Sequence, residues 1–279
     1  HELLDDVLGK RSKVDLFSSA ADSSAPVSSV TETISCAPLY ADYSYYLPSL
    51  ADDEAANFQA LYTGIQGFQN TISLPVAVSS DNVSDLMHLL TNECPELMQL
   101  SSRWVEHSNL LGLVVSVSPE YTISKETFDA QTAAVNTLIQ SWQTTLSGQS
   151  AYQAELTIYN YIIENCVYST QADNCQSAYG ALIDGQAKCD GRAQALVWGL
   201  RSLGIKSSVI TGNTHAWVIA HIGDYDYNVD PTYDDNENDG IQQPLCYAYF
   251  NIPESAISSD PYPADDFYQR IPCHCALGL

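Results

Sequence analysis

Basic residues are scarce in this chain: ten Lys and Arg stand against 34 Asp and Glu, for a formal charge of −24 over 279 residues. A surface so short of positive charge repels nucleic acid and anionic membranes and keeps a protein in solution. Nucleic acid is therefore not expected as a partner. Long apolar runs are missing too. No stretch approaches the roughly 18 residues of a membrane-crossing helix, so no membrane span is expected. No Cys-x-x-Cys pair occurs, and the nearest thing to a ligand cluster is Cys273-His274-Cys275. A lone Cys-x-Cys falls short of structural zinc spacing, so no metal or other cofactor is expected. No internal repeat is visible. No leader peptide is recognisable either, but the chain begins at His1, as a processed or truncated product does. That absence therefore does not argue for the cytoplasm.

Cysteine itself is plentiful. Eight copies suit an oxidising compartment, which points to a secreted or surface-attached protein. Disulfides are the expected fate of most of them. Cys166 and Cys175 would close a short loop and are the first candidate pair. Cys273 and Cys275 lie too near each other to pair comfortably, which directs each toward Cys36, Cys94 or Cys246. Setting Cys189 aside leaves an odd number, so either one more thiol is free or Cys189 is itself bridged.

Residues 1–35 are rich in Ser and Ala and poor in large apolar side chains, so they cannot repay the entropy of ordering and read as a flexible tail. The globular part divides into an N-terminal α+β region, 36–125, and a second region, 126–279, that ends in a Tyr- and Pro-rich segment. Apolar residues recur at helical spacing over 51–68, over 81–92 behind Asp81 as N-cap, over 126–146 and over 151–165. The β-branched stretch 110–121, bounded by Pro119, predicts a strand. After Cys189, the residues Ala193, Leu196, Val197, Leu200 and Leu203 form one apolar helix stripe that Gly204 ends. Strands are then expected at 207–212, at 215–222 and, across a Gly223-Asp224 turn, at 225–232.

Cys189 falls at the start of that helix, where unpaired amides and the positive end of the dipole favour a thiolate. Gly191 would leave space beside it. A nucleophilic thiol also needs a base and a group to orient the base. With residues 223 and 224 as the turn, Trp217 faces Asp230, and His215 lies diagonally beside Asp230 on the same face. His221 is the competing base, but it sits beside the turn with no carboxylate expected at its depth. Lys188 and Arg192 either support the thiolate or project into solvent. Trp217 and Tyr233 are candidates for a substrate cleft, with core packing as the alternative. Asp234, Asp235, Glu237 and Asp239 lack EF-hand spacing and read as a solvated acidic loop.

Three ordered motifs, "GQAKCDGRAQALVWGLRSLGI", "HAWVIAHI" and "YNVDPTYDD", together resemble the core of the transglutaminase-like superfamily. The match is clear over about 150–235, and "CPEL" and "SAYGALIDG" extend it toward the bacterial extracellular branch. The resemblance implies an α+β, papain-like core, with a helix bearing the cysteine packed on an antiparallel sheet, behind an N-terminal α/β extension. It assigns Cys189 as nucleophile, His215 as general base and acid, and Asp230 as orienting carboxylate. Many bacterial relatives carry an aromatic where this chain has Arg192. The oxyanion donors are not part of the motif; the Cys189 amide is a natural one, and Gln186 or Tyr179 are side-chain candidates. The implied chemistry is acyl transfer from an amide or peptide carbonyl through a thioester, hydrolytic or cross-linking. A protein or peptide substrate, cell-wall associated in one version, is the expected partner. The alternative is an inactive module that holds a peptide or cell-surface glycan in the same cleft.

Overall fold

The structure is a computed structural model that describes residues 38–253 apart from 213, 236, 239, 240 and 243. The expected tail at 1–35, Cys36, Cys273 and Cys275 lie outside the described residues.

The N-terminal layer begins with helix α1 (Asp52–Gln66), strand β1 (Ile72–Val78) and helix α2 (Ser80–Glu93). It continues with a hairpin, β2 (Leu100–Ser108) and β3 (Val114–Tyr121), and the three strands form an antiparallel sheet in the order β1-β3-β2. Three expectations are corrected here. The strand runs on through Pro119, which is tolerated because β1 pairs β3 only over Val114–Val117, leaving the chain at Pro119 paired with β2 alone. Strand β2 was not expected, because "LSSRWVEHS" is polar and mostly exposed and shows no apolar alternation. The cap of α2 is Ser79, whose side chain accepts from the Asn82 amide at 3.2 Å, in place of Asp81.

The second region opens with helices α3 (Lys125–Thr145) and α4 (Ala151–Asn165). Ser124 and Ser150 cap them by accepting the amides of Thr127 and Gln153. A short parallel pair, β4 (Val167–Tyr168) and β5 (Gln186–Ala187), brackets a π-helical turn at Gly180–Asp184. Helix α5 (Cys189–Ser202) follows, then the antiparallel sheet β6 (Ser207–Thr211), β7 (Ala216–Ile222) and β8 (Tyr225–Val229). The β7–β8 register runs from Val218↔Val229 to Ile222↔Tyr225, the pairing that a Gly223-Asp224 turn dictates, with Gly223 at φ 64°. This is the expected α+β arrangement of a cysteine-bearing helix on an antiparallel sheet behind an N-terminal extension.

The sheet β6-β7-β8 is covered on both faces. Val209, Val218 and Ala220 join α5 in one core, while Ile210, Trp217 and Ile219 point the other way into the core of the N-terminal layer. Helix α5 departs from the single apolar stripe: everything from Gly191 to Ser202 is buried. Its polar residues are accommodated by bonding. Gln194 donates to Thr91 O at 3.0 Å, and Arg201 donates to Glu93 O at 2.7 Å and Ser207 O at 2.8 Å while pairing with the Glu93 carboxylate. That carboxylate also accepts from Ser44 at 2.5 Å and Ser208 at 2.9 Å, joining the two layers.

Candidate active site

Cys189 is the first residue of α5 and follows Lys188 in extended conformation. The helix start is seated on the loop before it. Lys188 N donates to Cys175 O at 2.9 Å, and a Cβ on Gly191 would lie 2.8 Å from the carbonyls of Cys175 and Ser177. Gly191 thus serves close backbone packing, where the sequence pointed to space beside the reacting group. The first amides of a helix have no intrahelical acceptor, so the Cys189 N–H is available to an incoming oxygen. Cys189 is only 6% exposed, and its thiol lies 3.6 Å from Asp190 Oδ1.

His215 immediately precedes β7, and Asp230 immediately follows β8. The register therefore brings them side by side at one end of the sheet, with His215 Nε2 2.6 Å from Asp230 Oδ2. Cys189 lies near enough to His215 to bear on its titration. Since Nε2 faces the carboxylate, Nδ1 is the ring nitrogen left for the thiol. Burial by itself would lower the imidazole's proton affinity, but the hydrogen bonds and negative charge offered by Asp230 and Cys189 prevail and lift its pKa to about 9. Asp230 is held in turn: its Oδ1 accepts the amides of Thr232 at 2.8 Å and Tyr233 at 3.2 Å. An aspartate accepting an amide two residues on forms an Asx-turn, which Pro231 favours. The amide of Asp230 donates to Tyr249 O at 2.9 Å, and Tyr159 reaches its carbonyl at 3.0 Å.

The other expected site residues divide. Tyr233 lies half-exposed with its ring 4.6 Å from that of His215, whereas Trp217 is 2% exposed and donates to Asn228 Oδ1 at 2.9 Å. Trp217 is thus core, because its side of the sheet faces the N-terminal layer. Of the oxyanion candidates, Tyr179 lies near Asp184, its phenol's pKa raised first by burial and then by that carboxylate's charge, and Gln186 sits exposed on β5. Among the described residues neither is hydrogen-bonded to Cys189. Cys166 and Cys175, expected to bridge, are both free and buried: Cys166 ends α4, with its thiol 3.7 Å from Val167 O. Cys94 and Cys246 are unbridged as well. His221 does face a carboxylate, since Asp226 stands directly opposite it in the register and its Oδ1 lies 2.8 Å from Nδ1. The turn-sum arithmetic already contained that pair. Lys188 pairs with Asp190 at 3.4 Å, and Arg192 is fully buried instead of solvated. Asp234 and Asp235 are not a solvated loop either: Asp234 accepts from Tyr159 at 2.6 Å, and Asp235 pairs with Arg192 at 2.6 Å. Tyr168 was missed. It is exposed on β4 beside Arg192, within electrostatic range of Cys189, and only the parallel β4–β5 pairing brings it there.

Residues 140–235 match the family model of the transglutaminase-like superfamily, a span that holds Cys189, His215 and Asp230. The matched segment, about a third of the chain, is similar to that superfamily's core. Among solved structures it is similar to a candidate cysteine protease from Cytophaga hutchinsonii, at 18% identity and a TM-score of 0.31, covering 47% of this chain and 61% of that one. It is also similar to a protein described as a TGase, at 14% identity and a TM-score of 0.34, covering 64% of this chain and 53% of the other. The chain thus spans less than two thirds of either. No curated protein sequence matches it.

Proposed function

We propose that the protein is a thiol enzyme that transfers acyl groups from amide or peptide carbonyls. The observation that carries this reading is His215 held by Asp230 at 2.6 Å with Cys189 near enough to raise the imidazole's proton affinity. Cys189 Sγ attacks the carbonyl carbon, and the oxygen's developing charge meets the Cys189 amide at the head of α5. The C–N bond breaks as His215 gives a proton to the leaving amine, which leaves a thioester. His215, now neutral, takes a proton from water as the water oxygen attacks the thioester carbon. The C–S bond then breaks, returning the Cys189 thiolate and releasing the acid, and an amine in place of water gives a cross-link. Hydrolysis of peptide bonds in a protein substrate, cell-wall material included, is the outcome we favour. The setting we propose is outside the cell or on its surface, on the cysteine content and the Ser/Ala-rich segment at 1–35. Among the described residues no helix is long and apolar enough to cross a membrane.

The test is alkylation of the unreduced protein by iodoacetamide across the acid-to-alkaline range, with the label located by peptide mass. Cys189 should label ahead of Cys94, Cys166 and Cys175, and His215→Ala should slow it on the order of a hundredfold. A Cys189 that stays unlabelled until reductant is added overturns the enzyme reading in favour of a module that holds peptide or glycan without turnover.

A further inference from the structure

We infer that Arg192 is a positioning residue that ties the helix beginning at Cys189 to the turn following Asp230 and so sets the spacing between thiol and base. The inference rests on the thiol-enzyme reading above. Arg192 lies one turn along α5 from Cys189 and is completely buried. Its guanidinium donates to three acceptors: Nη1 to Pro231 O at 3.0 Å, and Nη2 to Cys166 O and to Asp235 Oδ2, each at 2.6 Å. Pro231 directly follows Asp230, and Asp235 ends the same turn, so two of these acceptors belong to the segment that carries the orienting carboxylate and Tyr233.

Taking a guanidinium out of water is costly unless fixed acceptors match its planar fork. Here Nη1 and Nη2 have such acceptors, Nε has none, and the partnership with Asp235 neutralises the charge. Arg192 therefore acts through the turn it grips, not as a free cation beside the thiol. The turn's other ties run elsewhere: Asp230 N to Tyr249 O, and the Tyr159 hydroxyl to Asp230 O and Asp234. Those hold it to the C-terminal segment and to α4. Arg192 supplies the tie to the nucleophile's own helix. An aromatic at this position would fill the space without holding the turn by hydrogen bonds.

The experiment compares Arg192→Lys and Asp235→Ala with the parent full-length protein by two readouts. One is the rate of Cys189 alkylation by iodoacetamide at neutral pH. The other is the titration midpoint of His215 from its imidazole NMR signals. Lysine keeps the charge and loses the fork, so a moved midpoint in that variant reports geometry. Both variants should alkylate more slowly, on the order of ten- to a hundredfold, with the His215 midpoint displaced from about 9 toward 6.5. A folded variant that matches the parent in both readouts overturns the proposal and leaves Arg192 a packing residue. If Arg192→Lys does not fold, Asp235→Ala decides alone. Should the parent's Cys189 be inert while the variants still move the His215 midpoint, the enzyme reading fails and the positioning role stands.

Discussion

His215 and Glu155 both take up protons on folding, and each makes stability fall as pH rises. For His215 the folded pKa, about 9, exceeds the ordinary 6.5, so its contribution is complete below 6.5 and is lost by about 9. Glu155 is buried on α4, which raises its carboxyl from 4.5 to about 8, and the Asn251 amide at 2.8 Å offsets only part of that burial. Its folded form keeps a proton that the unfolded chain has already released, so stability is lost from about 4.5 upward to 8. Glu96, which burial raises to about 7, works the same way over a lower window. The thermal midpoint should therefore fall steadily from mildly acid to alkaline pH. Glu155→Gln, followed by calorimetry, should make the profile shallower from about 4.5 to 8, leaving the remaining loss to Glu96 below about 7 and to His215 from 6.5 to about 9. A Glu155→Gln profile parallel to the parent's would show that the carboxylate is already ionised in the fold.

Helix α5 shows how a single element joins folding to the site. Its start places Cys189, its second turn carries Arg192, and its end at Ser202 is followed by Gly204 at φ 77°. The start and the stop were readable because a helix head and a left-handed glycine have local signatures. The total burial was not, because Arg192, Gln194 and Arg201 read as a solvent face until their partners are known. Gly191 is the tightest point. Gly191→Ala brings a methyl to 2.8 Å from the Cys175 and Ser177 carbonyls, which are backbone and cannot swing away. The substitution should cost about 1–3 kcal/mol, as overpacking does, measurable by urea unfolding. It should also slow alkylation of Cys189, because the helix head must shift. Unchanged stability would mean that the loop at 175–177 yields freely.

The whole molecule is two layers sharing one sheet, and Arg201 with Glu93 bolts them together. Both side chains are buried, Arg201 on α5 and Glu93 at the end of α2, with Ser44 and Ser208 completing the network. Arg201→Met would leave the Glu93 carboxylate buried without its cation, at a cost of about 3–5 kcal/mol. Because Trp217, Ile210 and Ile219 also belong to the N-terminal core, loss of that layer exposes one face of the sheet that holds His215. The variant should therefore unfold at lower urea in one transition, with fluorescence and circular dichroism coinciding. Two separated transitions would show the N-terminal layer melting on its own.

Local order along the chain determined much of this protein. The helices, the Gly223-Asp224 turn and the summed register that sets His215 beside Asp230 all follow from periodicity and short-range stereochemistry, which act over a few residues. The approach of Cys189 to that pair followed from three motifs that only a family resemblance joined. Tertiary structure alone decided which polar side chains were interior. Arg192, Arg201, Asp234 and Glu93 carry solvent-like identities, and only partners far away in sequence make their burial affordable. It also decided that Trp217 is core, since nothing in "HAWVIAHI" reveals that a second layer covers the sheet's other face. Long-range contacts between surfaces leave no periodic trace in either strand or helix, so they become visible only when the chain is folded.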